Sequence, residues 1–235
     1  MKPNGNIRRD NDGINYLDYS DFMGVPCGII IRNSAIEDVI PNDNTIIHIN
    51  QYINGGIGHN PIVIKLNQKH TYNIIKPKDN LTNPADGVFT DDKKYLLTIR
   101  TADCFPVLLS DGNIVGAIHA GWRGAFLGII KNYFIAAKNF NRGQCKVVIG
   151  PGINQCCFEV SAEVAILFDK KYRHKRNSKF YVDIKGFILD ELKCFGVNYI
   201  VVNGDCTACN IDKYYSYRRE GSKVKEMLSF ISTGG

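Results

Sequence analysis

The stretch TADCFPVLLSDGNIVGAIHAGWRG, residues 101–124, organises the reading of this chain. Two apolar runs, 106–109 and 114–118, flank a segment of turn composition, so the stretch reads as strand, tight turn, strand. Cys104 and His119 each sit where a strand-like run stops. Residues at strand ends converge on one edge of a sheet, so a spacing of fifteen positions, holding a turn and a strand, can bring the two together.

Outward from this segment, similar apolar runs bounded by turn residues recur at 27–31, 45–49, 62–66, 95–99, 146–149 and 199–202. Residues 124–140 place Phe126, Ile129, Ile130, Tyr133, Phe134 and Ala137 at helical spacing, and shorter helical patterns cover 162–168, after the cap Ser161, and 186–195. Strands outnumber helices and arrive both in clusters and beside helices. That pattern predicts an α+β (mixed α/β) fold, packed mixed sheets flanked by helices, more than a doubly wound parallel sheet. No internal repeat interrupts the chain, so one domain over 1–235 is expected, with 1–20 as a flexible extension.

The 235 residues are 44% hydrophobic, 11% aromatic and 22% charged, the composition of an ordinary globular protein that needs no staples. Neither a secretory pattern nor an apolar run of about 18 residues occurs, which predicts a cytoplasmic protein without a membrane partner. In a reducing compartment its eight cysteines are expected as thiols, ligands or nucleophiles. The net charge of +6 suits an anionic partner. The dense basic run, 170–176, reads as a solvated loop, which speaks against nucleic acid.

Thiolate and imidazole are the donors that a borderline-soft cation such as zinc prefers, and a catalytic zinc usually has three protein ligands and an open place. Of the remaining histidines, His70 follows a strand-like run, whereas His48 lies inside one, His59 in a Gly-rich loop and His174 in the basic run. His70 is the best third ligand, completing His70, Cys104 and His119. A lone cysteine or histidine is ordinarily a core residue. The polar company of Asp103 and Arg123 at strand ends shifts that balance. Gly121-Trp122-Arg123-Gly124 before a helix also suggests a phosphate cradle. Cys156-Cys157 is read as buried thiols, one of them lining the site, and the single C-x-x-C at 206–209 lacks the second knuckle of a zinc ribbon.

These blocks resemble a known family. Thr-Ala-Asp-Cys-x-Pro-Val-Leu-Leu at 101–109, Ala-x-His-Ala-Gly-Trp-Arg-Gly at 117–124, Gly-Pro-x-Ile-x-x-Cys-Cys-Phe-Glu-Val at 150–160 and Tyr-Ser-Tyr-Arg-Arg at 215–219 are similar to the signature blocks of the YfiH/laccase-domain family. The resemblance implies a YfiH-like fold, Zn2+ held by His70, Cys104 and His119 (with Cu2+ as the older alternative), and phosphorolysis of purine nucleosides. The substrates implied are adenosine, inosine, guanosine or S-methyl-5'-thioadenosine with inorganic phosphate, and adenosine deamination is a further implied activity. Catalytic roles are expected for Asp103, Cys104, His119 and Arg123. Contacts to substrate or phosphate are expected from Arg32, Gln68, Asp86, Arg123 and Gly124, in a monomer or homodimer. Three blocks depart from the family pattern: Gln68-Lys69-His70-Thr71 stands for Gln-Val-His-Gly, Arg32-Asn33-Ser34-Ala35 for Arg-x-Gly-Gly-x-Ser, and the closing Gly-Arg after the Arg-Arg pair is replaced around Gly221-Ser222-Lys223.

Two rival readings are a copper polyphenol oxidase and a metal-free cysteine hydrolase using Cys104 and His119. Five histidines without a His-x-His pair cannot furnish a multicopper cluster.

Overall fold

A computed structural model of the chain describes residues 5–9, 14–32 and 61–234. Among them, one six-stranded sheet has the order β1 (Asn6–Arg9), β2 (Asn15–Asp18), β3 (Cys27–Ile30), β15 (Met227–Ile231), β7 (Tyr95–Thr101) and β4 (Ile62–Lys65). A second has the order β14 (Tyr199–Val202), β10 (Lys146–Ile149), β8 (Phe105–Ser110), β9 (Val115–Ala120), β6 (Gly87–Thr90) and β5 (Ile74–Ile75). A small third sheet joins β11 (Glu159–Val160), β13 (Lys179–Val182) and β12 (Arg173–Arg176). Pairing is mixed: β8–β9 and β15–β7 are antiparallel, while β4–β7 and β10–β14 are parallel.

The apolar runs become strands because the second sheet is buried on both faces. Successive side chains of a strand point to opposite faces. Leu108 therefore packs with Leu97, Ile99 and Ile29 of the first sheet, whereas Phe105, Val107 and Leu109 pack on the far side. That far side is covered by α3 (Ile129–Ala136) and α5 (Ile184–Cys194), through Ile130, Tyr133 and Phe134 of the former and Ile188 and Leu192 of the latter. The short helices α1 (Ser20–Met23), α2 (Trp122–Phe126), α4 (Ala162–Ala165) and α6 (Tyr217–Glu220) complete the set. The fold is α+β, sheets packed face to face with helices outside, as the pattern of runs predicts.

The structure corrects several expectations. Residues 6–9 and 15–18, expected in a flexible extension, form strands at the edge of the first sheet. The expected helix over 124–140 is two helices, because Gly128 adopts the left-handed conformation (φ 85°) between α2 and α3. The basic run is solvent-facing, but residues 173–176 pair as strand β12 rather than forming a loop. The run at 45–49 lies outside the described residues, as do His48 and His59. No described helix is long and apolar enough to cross a membrane.

Candidate metal centre and cavity

The β8–β9 hairpin sets the site. Its register pairs Pro106 with His119 and Phe105 with Ala120, which brings the residues just beyond, Cys104 and Gly121, to the same end of the sheet. His119 is itself near the end of β9 and buried. His70 arrives from the segment between β4 and β5, where it is exposed and holds φ 57°, unusual for a residue with a side chain. Cys104 Sγ lies 3.7 Å from His70 Nε2, and the three candidate donor atoms of His70, Cys104 and His119 all fall within 4.8 Å of one another. A tetrahedral zinc with ordinary Zn–S and Zn–N bonds needs an S···N edge of about 3.5 Å. The trio fits one cation.

One carboxylate aligns two of the three donors. Asp86, fully buried, accepts a hydrogen bond from His119 Nδ1 at 2.7 Å, from the backbone N–H groups of Lys69, His70 and Thr71 at 3.1, 3.0 and 2.6 Å, and from Thr71 Oγ1 at 2.8 Å. With Nδ1 committed to Asp86, His119 has Nε2 left for the centre, the arrangement in which a carboxylate fixes a ligand's tautomer. Burial opposes ionisation of Asp86, yet the bonds from His119 and Thr71 win and lower its pKa to about 2. Burial likewise pushes the Cys104 thiol up and His119 down. His119 and His70 reverse the first shift, bringing Cys104 to about 6, and Cys104 and Asp86 reverse the second, bringing His119 to about 10. Cys104 is therefore poised as a thiolate, the form that binds metal.

Gly121 is a residue whose role the sequence did not disclose. A Cβ there would stand 2.9 Å from both Cys104 Sγ and His70 Cδ2, so only glycine lets these two donors meet. The signal available was its position straight after the β9 histidine.

The trio opens onto a cavity of about 590 Å³, within the usual range for a small-molecule site. Its wall includes Trp122, Phe158, Tyr217, Arg100, Arg123 and Glu226. Arg123 is exposed, lies over the Trp122 ring at 4.6 Å, and has no carboxylate partner among the described residues. Asp103 also lines the cavity, but its oxygens are occupied: Oδ1 accepts from Thr207 Oγ1 and Oδ2 from the Arg218 N–H, both at 2.6 Å. Its left-handed backbone (φ 86°) is held further by the Ile153 N–H donating to its carbonyl. Both carboxylate oxygens of Asp103 are thus taken up within the protein.

The other expected contacts divide. Gln68 borders the cavity, though its amide is bonded both ways to the backbone of Arg100, at 2.8 and 2.9 Å. Asp86 is too buried and too fully bonded to touch a substrate. Arg32 does not line the cavity; its guanidinium pairs with Glu220, donates to the Ile211 carbonyl and lies over Tyr215. Gly124 does not line it either, and a Cβ there would meet the Thr71 carbonyl oxygen at 2.7 Å. Helix α2, with five residues, is also too short for the phosphate cradle expected at its start. Glu159, the carboxylate of the 150–160 block, is taken up by Lys179 and Tyr181. Cys156 is exposed and Cys157 half-buried, and neither lines the cavity.

Fold and site together define an α+β protein with three candidate metal donors lining one cavity. The model of the family described as "multi-copper polyphenol oxidoreductase laccase" matches residues 43–234, and the chain belongs to that family. It is 34% identical to a purine nucleoside phosphorylase of Aquifex aeolicus, over 70% of this chain and 80% of that one. It is also 34% identical to purine nucleoside phosphorylase RP494 of Rickettsia prowazekii, over 67% and 70%. Its fold matches the solved structure of the hypothetical protein YfiH of Bacillus licheniformis, with a TM-score of 0.79 and 23% identity over 99% of each chain. The relatives' names support an enzyme.

Proposed function

We propose that the protein is a zinc-dependent purine nucleoside phosphorylase. In this reading phosphate attacks the anomeric carbon of adenosine, inosine, guanosine or S-methyl-5'-thioadenosine, releasing the base and the ribose 1-phosphate or its 5-methylthio counterpart. The observation that carries it is the junction of the His70, Cys104 and His119 donors with an aromatic cavity that contains an uncommitted arginine.

Bound to the trio, zinc supplies a positive charge that holds and orients an anion. Arg123, which lines the same cavity, adds a second positive charge, and its forked guanidinium, already stacked on Trp122, can present paired donors to two phosphate oxygens. Trp122, Phe158 and Tyr217 offer apolar faces to the purine and exclude water from it. As the C1'–N9 bond breaks, its electron pair passes to the purine and a proton must reach the ring. Asp86 and Asp103 are fully hydrogen-bonded and Glu226 is paired with Arg100 at 3.6 Å, so in this reading the proton comes from solvent. The eight free thiols suit a reducing, cytoplasmic setting.

A second reading draws on the Cys104–His119 pair, whose opposite pKa shifts resemble those of a metal-free cysteine hydrolase. It leaves His70, a second imidazole on the same sulfur, without a role. Incubating adenosine, inosine and S-methyl-5'-thioadenosine with and without phosphate, using zinc-loaded and chelator-treated protein, separates the readings. Free base and sugar 1-phosphate that need both phosphate and metal are expected. Base release without metal or phosphate refutes the proposal, and inosine from adenosine reveals deamination at the same centre. Loading copper in place of zinc and supplying a phenol tests the oxidase.

A further inference from the structure

Four cysteines stand apart from this cavity, and the topology collects them. Strands β10 and β14 are parallel neighbours, pairing Ile149 with Val202, so the loops that leave their ends run side by side. Those loops are joined by a bridge between Gly152 and Cys206, by Thr207 N–H donating to the Gly152 carbonyl at 3.0 Å and by Asn154 Nδ2 donating to the Gly204 carbonyl at 2.9 Å. Cys156 and Cys157 sit on one loop, Cys206 and Cys209 on the other. Cys209 Sγ is 3.4 Å from Cys157 Sγ and 3.7 Å from Cys156 Sγ, and all four sulfurs lie within 4.8 Å of one another.

These distances select among sulfur chemistries. A tetrahedral ion with Zn–S bonds of about 2.3 Å has S···S edges of about 3.8 Å. A disulfide requires about 2.05 Å, and joins only two of the four. An iron–sulfur cubane gives each sulfur its own iron and spreads them farther. The buried Cys206 sulfur also accepts the backbone N–H of Asn154 at 3.3 Å and those of Ala208 and Cys209. Such donors offset the charge that accumulates when several thiolates share one cation.

We propose that Cys156, Cys157, Cys206 and Cys209 form a second metal site, a closed four-thiolate centre for one zinc ion. Each thiol that binds gives its proton to solvent as its sulfur bonds to the ion, and no electron moves. With four protein ligands the centre has no place for substrate, so it is structural. The adjacent pair Cys156-Cys157 substitutes for the second knuckle that a zinc ribbon would supply. The centre fastens one wall of the cavity: Thr207 donates to Asp103, and Arg218 Nη1 donates to the Cys157 carbonyl at 3.1 Å.

Metal counting tests it. Protein reduced, loaded with zinc and dialysed is expected to retain two zinc ions per chain; Cys104→Ala is expected to retain one, and so is the double variant Cys206→Ser, Cys209→Ser. Cobalt-loaded Cys104→Ala should show thiolate-to-metal charge transfer about four times as intense as that of the single-thiolate centre left in the double variant. Should the double variant fail to fold, the cobalt spectrum of Cys104→Ala decides alone. A metal-free Cys104→Ala, a spectrum of two thiolates or fewer, or a non-reduced mass lower by two hydrogens with unchanged metal content overturns the proposal. Because Cys104→Ala removes only the first centre, failure here leaves the phosphorylase reading standing.

Discussion

Asp86→Asn is the sharpest test of how the candidate metal centre is organised, because the substitution keeps shape and removes only charge and acceptor capacity. Oδ2 receives three donors and Oδ1 two, so the new amide places its NH2 on the Oδ1 side, facing His70 N–H and His119 Nδ1. His119 then has to accept at Nδ1, which moves its proton to Nε2, the atom needed by the metal. The lowered pKa of Asp86, about 2 against 3.8, corresponds to about 2 kcal/mol favouring the ionised carboxylate. The His70 N–H left without its acceptor adds a further cost. Zinc affinity should therefore fall roughly 10- to 100-fold, measured by competition with a chromogenic chelator at neutral pH. The metal-free variant should also unfold at lower denaturant. The wild-type carboxylate contributes stability above pH 3.8 that is lost as pH falls through about 2, so the difference should narrow in strong acid. Zinc affinity within about threefold of wild type, a gap of well under 1 kcal/mol, would refute the tautomer argument.

Gly121→Ala should lower zinc affinity about tenfold or more while the circular dichroism stays unchanged, since the added methyl stands 2.9 Å from two donor side chains and forces them apart. Arg123→Gln should raise the KM for phosphate roughly 10- to 100-fold, the worth of a charged hydrogen bond, and leave bound zinc at the wild-type level. In metal-free protein, Cys104, lowered to about 6, contributes stability above its unfolded value of 9.0 and loses it as pH falls through about 6. His119, raised to about 10, contributes below 6.5 and loses that contribution as pH rises through about 10. The Tm of chelator-treated protein should thus peak between these limits, and Cys104→Ala should flatten the profile.

The two sheets were largely legible because β8, β9 and β10 are buried on both faces, and such strands announce themselves as unbroken apolar runs. Strands that are short or exposed carry no such mark. The sequence Asn6–Arg9 faces solvent throughout and β12 is composed of arginine, histidine and lysine, so both became visible only through their partners. Cys104 and His119 were readable from their places at the ends of the central hairpin. The arrangement around them was not, since the claim of Asp86 on His119 spans 33 positions and the rejection of Arg32 from the cavity depends on Glu220, 188 residues away. The four-cysteine cluster escaped for a similar reason: spacing showed one knuckle, while parallel pairing of β10 and β14 supplies the rest.

The β8–β9 pairing makes the hairpin turn a tuning element for chemistry that takes place at its far end. Shortening Asp111-Gly112-Asn113 by one residue would shift β9 by about 3.4 Å and reverse which face each side chain meets. His119 would then point away from Asp86. Evolution can reshape the cavity rim freely, but the length of this distant bend is fixed by the place where one imidazole must stand.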